Sequence, residues 1–129
     1  MEKKFSAIWA GWETALAIFG SEEIFYENPS DYTRAFSRIE CHYFFYKGFL
    51  NSDNHILENI GKISHLSADI IQGRYDLICP PESAYNLAKS WERAKLRLIN
   101  FAGHAISEPE ISNALILATD KLIQRIKYF

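Results

Sequence analysis

Two compact apolar runs in the second half of the chain set the terms for its fold. Ala68 to Gln72 reads ADIIQ and ends at Gly73; Arg97 to Phe101 reads RLINF and ends at Ala102 and Gly103. Short apolar runs bounded by glycine are predicted to be buried strands. Between them, ESAYNLAKSW follows Pro80 and Pro81 and sets Ala84, Leu87, Ala88 and Trp91 at helical spacing, with the prolines where a helix accepts them, at its entry. After the second run, Pro109 opens a further helix with Ile111, Leu115, Ala118, Leu122 and Ile126 along one side. Strand, helix, strand, helix is the order of a parallel βαβα unit, in which a right-handed crossover lays the strands side by side. Two strands are too few for a parallel sheet with both faces covered, and each leaves an unpaired edge. The expected class is α/β, and incomplete.

The first half has a different texture. From Phe5 to Phe19, Ile8, Trp9, Trp12, Ala15, Leu16 and Phe19 recur at steps of three and four, the period of a helix face that Gly20 ends. The polar segment Ser21 to Ser30 contains Pro29, after which Ser30 or Asp31 caps a second helix carrying Tyr32, Phe36, Ile39 and Tyr43, running to about Tyr46 and stopping at Gly48. A short third helix is expected from Asp53 to Ile60, closed by Gly61. No internal repeat or low-complexity segment interrupts this reading.

With 129 residues, 48% of them apolar, and a formal charge of −2 spread without a basic stripe, the chain reads as one globular domain with no electrostatic reason to bind nucleic acid. Trp12, Glu13 and Thr14 break the early apolar stretch, which argues against a signal peptide, and no stretch is apolar enough to span a bilayer. Cys41 and Cys79 lack the paired spacing of a zinc site or disulfide framework and read as free thiols, so a reducing cytoplasm is the default. His42, His55 and His65 are scattered, none in an H-E-x-x-H pattern, so no metal is expected; His42 is expected to pack among the aromatics of its helix.

In open parallel sheets, functional groups gather past the carboxyl ends of the strands. Asp76 follows the first strand in QGRYD and His104 follows the second in FAGH. A parallel register brings carboxylate and imidazole to one end of neighbouring strands, as an acid that orients a catalytic base requires. Acid then histidine, one βα unit apart, is the order in which an α/β-hydrolase presents the last two members of its triad. The plainer alternative is an aspartate that bends its own turn and a histidine that is only a loop residue. No serine here has a glycine two positions to each side, so the G-x-S-x-G nucleophile elbow is absent, as is a glycine-rich loop for an oxyanion hole.

The runs RIECHYFFYKGFL, IIQGRYDLICP and AGHAISEP resemble the C-terminal half of bacterial prolyl aminopeptidases, or proline iminopeptidases, over nearly the whole chain. The GRYD-x-x-CP and RIE-x-HYF runs are specific to that family, whereas Gly-His after a strand is common to most α/β-hydrolases. The resemblance implies a partial α/β-hydrolase fold, with residues 1–61 as part of the helical cap and 62–129 as the last two parallel strands with their helices. It makes Asp76 the triad acid and His104 the triad base of a serine peptidase that removes N-terminal proline, without a cofactor. The family's cap holds the substrate's free amino group with acidic residues, and the matching positions are Glu13, in the W-x-x-WE run, and Glu40, in RIE. Helical spacing puts Glu40 on a side with Phe36 and Phe44, and Glu13 with Trp9 and Leu16, where a carboxylate among rings suits a secondary ammonium. The alternative for each is a surface glutamate on an amphipathic helix. The sequence departs from the family at Cys41, where Asn is usual, at Ser67, where Pro is usual, and at Ala105, where Ser follows the histidine.

The expected activity is therefore that of a C-terminal fragment of a proline iminopeptidase, inactive alone because serine and oxyanion hole are absent, whose partners are peptides with N-terminal proline and a separate chain carrying the serine half. A second reading is a non-catalytic interaction module derived from an α/β-hydrolase. A third, a complete small hydrolase using Cys41 or Cys79 as nucleophile, finds no oxyanion hole beside either thiol.

Overall fold

The computed structural model describes residues 2–21 and 29–126. The segment 22–28, most of the expected polar connection, and the side chain of Ile126, expected on the last helix face, lie outside the described residues. The chain divides into two compact units, Met1–Ala15 with Gly20–Asn59, and Leu16–Phe19 with Ile60–Phe129.

The first unit is helical. Helix α1 covers Glu2–Ala17, and α2 covers Asp31–Phe45. Ser30 caps α2 as the sequence suggests, its hydroxyl accepting the Thr33 N–H at 3.1 Å, which satisfies one of the free N–H groups of the first turn. The buried residues of the two helices are small. Ser6, Ala10 and Gly11 of α1 and Thr33 and Ser37 of α2 are the buried ones, and the Ser37 hydroxyl donates to the Ser6 carbonyl at 3.3 Å. Most of the large apolar residues on the expected helix faces are not buried. Ile8, Trp12, Tyr32, Ile39 and Tyr43 are all more than half exposed.

Past α2 the chain makes a left-handed turn, with Lys47, Gly48 and Phe49 at φ of 51°, 62° and 59°, and Gly48 ends the helical run where expected. His42 packs within the aromatic group at this end, its ring 4.7 Å from that of Tyr46 and 5.6 Å from that of Phe49. The third helix is shorter than expected, a single turn at His55–Glu58 labelled α3.

In the second unit, strand β1 (Ala68–Gly73) pairs in parallel with β2 (Ala94–Ile99), with Ala68 opposite Ala94 and Gly73 opposite Ile99. Helix α4 (Pro81–Ser90) connects them and α5 (Pro109–Ile126) follows; both pack on both strands. The βαβα order is as expected, but β2 begins three residues before the apolar run and ends before Asn100. Pairing with β1 selects Ala94–Ile99, and Phe101, at φ 55°, cannot continue an extended strand. The connections entering the two strands are stapled together, Trp91 Nε1 donating to the Leu66 carbonyl at 3.0 Å and an Arg93 guanidinium N–H to the His65 carbonyl at 2.8 Å. Across the strands Arg97 and Asp69 form an ion pair at 3.0 Å. Of β1 only Gly73 is buried; Ile70, Ile71 and Leu96 remain half-buried, as a sheet with uncovered surface requires. No helix among the described residues is long and apolar enough to cross a membrane.

Candidate functional site

The parallel register aligns the carboxyl ends of β1 and β2, and glycine lets the chain segments beyond them touch. A Cβ on Gly73 would stand 1.8 Å from the Gly103 carbonyl oxygen and 2.7 Å from that of Ala102, distances only hydrogen can occupy. The approach is sealed by backbone hydrogen bonds, Arg74 N–H to the Ile99 carbonyl and Tyr75 N–H to the Ala102 carbonyl, each 2.9 Å.

Asp76 and His104 leave the two strand ends and meet, His104 Nδ1 lying 3.0 Å from Asp76 Oδ2. The Asp76 side chain is 5% exposed, that of His104 41%. Every remaining acceptor position of Asp76 is used: Oδ1 accepts the Ile78 N–H at 3.0 Å and the Cys79 N–H at 2.7 Å, and Oδ2 accepts Gln72 Nε2–H at 2.9 Å. Asp76 therefore bends its own turn and also holds the imidazole. A carboxylate acceptor at Nδ1 selects the tautomer with its proton there, which leaves Nε2 as the basic nitrogen. Nε2 has no hydrogen-bond partner among the described residues.

Gln72 carries no signal in the sequence beyond being a polar amide at the end of the run. Its Nε2 also donates to the Cys79 carbonyl at 3.0 Å, so one side chain ties the end of β1 to both ends of the Asp76 turn. The Cys79 thiol is pushed above its ordinary pKa by partial burial first and by the negative charge of Asp76 second. Both effects oppose a thiolate, which counts against Cys79 as a nucleophile.

The first unit brings the other two expected residues together. Trp9 Nε1 donates to Glu40 Oε2 at 2.5 Å, and the Trp9 ring lies 5.6 Å from Trp12 and 6.1 Å from Phe44. Glu13 is half-buried, and its Oε2 is buried with no hydrogen-bond partner among the described residues. Burial first, then hydrogen bonding to the neighbouring Glu40 carboxyl and repulsion from its charge, push the Glu13 pKa from 4.5 up to about 8, against a smaller lowering by hydrogen bonding with Trp9. Two carboxyls bordered by indole and phenyl rings, one with an oxygen left over, form an acceptor set suited to a cation with N–H donors.

No protein-family model matches the chain. Among curated proteins it is 42% identical over 116 residues to a proline iminopeptidase of Arabidopsis thaliana, a match covering 88% of this chain and 30% of the relative. It is 40% identical over 118 residues to the proline iminopeptidase of Neisseria gonorrhoeae, covering 92% and 37%, and 38% identical over 117 residues to a probable proline iminopeptidase of Leptolyngbya boryana, covering 91% and 36%. The chain thus spans about a third of the length of the curated relatives it matches. With identity of this level sustained along nearly its whole length, the chain belongs to the proline iminopeptidases, as a C-terminal portion of their α/β-hydrolase fold.

Proposed function

We propose that this chain supplies the acid–base pair and the amine-holding carboxylates of a cytoplasmic serine peptidase that releases N-terminal proline, and that it is inactive without a partner chain supplying the serine and oxyanion hole. The observation that carries the reading is the 3.0 Å contact of His104 Nδ1 with Asp76 Oδ2 at aligned strand ends. Residues 1–61 belong to the helical cap and 62–129 to the hydrolase core. His104 Nε2 takes the proton of the attacking serine hydroxyl as the serine oxygen bonds the carbonyl carbon after proline. It returns that proton to the departing amine as the C–N bond breaks. Water then repeats the cycle on the prolyl ester, giving its proton to His104, which passes it to the serine oxygen. Asp76 holds the ring throughout and supports the imidazolium. Glu13 and Glu40 grip the proline ammonium, whose charge relieves their mutual repulsion.

The test is hydrolysis of a chromogenic proline amide by the chain alone and co-expressed with the serine-bearing half of a relative. Turnover is expected only with the serine half and only when His104 is intact, falling at least about a thousandfold in His104→Ala. Turnover that survives His104→Ala overturns the reading.

A second reading, an interaction module without catalysis, is favoured by the extent of exposed apolar surface. Phe5, Phe45, Phe101 and Ile106 are each more than 60% exposed, more than an isolated soluble surface usually scatters. A monodisperse, stable chain with no turnover in either preparation would select it.

A further inference from the structure

His104 is held by Asp76 at one ring nitrogen and its side chain is substantially exposed, so the position of the ring depends on the loop that carries it. That loop includes Gly103 and a left-handed Phe101, neither of which fixes a backbone by itself. The restraint comes from another buried acid. Glu108 is 7% exposed; its Oε1 accepts the Gly103 N–H at 2.8 Å and its Oε2 the Phe19 N–H at 3.3 Å. The Ala17 carbonyl, in the same unit, accepts the N–H groups of His104 at 2.7 Å and Ala105 at 3.0 Å. Contact is close enough that a Cβ on Gly103 would lie 2.7 Å from the Ala17 oxygen and 3.1 Å from Glu108 Oε1. Glu108 also heads α5, its carbonyl accepting the Ser112 N–H at 2.9 Å just ahead of Pro109. The carboxylate is thus mounted on an eighteen-residue helix and placed at that helix's positive end.

We propose that Glu108 is a positioning residue for His104, fixing the imidazole through the Gly103 and Phe19 backbone. The proposal rests on the reading of His104 as the base. Hydrogen bonds from N–H to a carboxylate are among the stronger ones, and here two of them join the histidine loop, the segment Leu16–Phe19 and the start of α5. Only the resemblance run AGHAISEP contains Glu108, and sequence alone gives it no role; its function follows from the contacts of both oxygens.

The experiment uses the full chain labelled with 15N-histidine. The His104 Nδ1–H proton, assigned by its loss in His104→Ala and its shift in Asp76→Asn, is followed by NMR for exchange with solvent. In Glu108→Gln one acceptor oxygen remains, and exchange of the ring proton is expected to quicken about tenfold while the β1 and β2 amides keep their native protection. In Glu108→Ala the ring signal is expected to vanish into exchange. Unchanged ring exchange in Glu108→Gln, or equal acceleration of the strand amides, overturns the proposal, and this comparison decides even where Glu108→Ala does not fold. Absence of the ring proton in the native chain removes the Asp76–His104 pairing and the proposal together. Failure of the complemented proline-amide assay with the ring proton intact sinks the functional reading and leaves the hold of Glu108 on His104 standing.

Discussion

The two units each present a buried or half-buried acid, and the two acids differ in how their oxygens are used. In the second unit, both oxygens of Asp76 are filled by its own chain, with two backbone N–H groups on one and Gln72 and His104 on the other. In the first, one oxygen of Glu13 is buried with no hydrogen-bond partner among the described residues, and burial beside the Glu40 carboxyl raises the Glu13 pKa to about 8. An acid saturated by its own turn is preorganised: it orients a neighbour and needs nothing from outside. An acid left unsatisfied beside a second carboxyl has a standing affinity for a cation, since an unpaired buried acceptor carries its full desolvation cost until something donates to it. The dyad is a finished part, whereas the glutamate pair is an open one.

The finished part breaks most severely where the backbones touch. Gly73→Ala forces a methyl into the Gly103 carbonyl, and since the obstacle is backbone it can be relieved only by separating the segments past β1 and β2. A loss of at least about 3 kcal/mol is expected in urea unfolding, with the His104 ring proton lost as well. A variant as stable as the native chain would show that close approach does not seat the dyad.

Next in size is Asp76→Ala, which strands the Ile78 and Cys79 N–H groups and the Gln72 amide. About 2 to 3 kcal/mol is expected to be lost in the same measurement, even without any substrate or partner. A loss below about 1 kcal/mol would mean that the turn is held by other means and that Asp76 is less saturated than its contacts suggest.

The difference between the two parts was only half legible in the sequence. Asp76 and His104 could be placed together because strand order and parallel register are local patterns with few solutions, and because a glycine closes β1. The start of β2 was not legible: the apolar run RLINF points to Phe101, but the strand goes where β1 offers partners, and Lys95 joins it for that reason alone. The faces of α1 and α2 were legible as periodicity but not as burial, since the residues that end up buried, Ser6, Ala10 and Ser37 among them, are small ones rather than the largest apolar residues. Gln72 and Glu108 act through contacts with backbone from distant parts of the sequence, and no spacing rule connects Glu108 to Phe19. Glu13 and Glu40 stood out by resemblance; their mutual approach needed the folded helices.

The open part gives the smallest effect and the most specific one, a dependence on pH. The folded pKa of Glu13, about 8, lies above the ordinary 4.5, so between these values the native chain holds a proton that the unfolded chain has released. Stability from the protonated form is then fully present below about 4.5 and declines as pH rises through about 8. Glu13→Gln keeps the uncharged shape and removes the titration, so its thermal midpoint is expected to fall less than that of the native chain between about pH 5 and about pH 9, overtaking it at the alkaline end. On the proposed function, a prolinamide cation seated on the pair would favour the ionised carboxyl, so its binding would release a proton near neutral pH and restore part of the alkaline loss. A native chain whose midpoint follows that of Glu13→Gln across the whole range would mean that the carboxyl ionises freely beside Glu40, and the first unit would then hold no unsatisfied acid for a cation to satisfy.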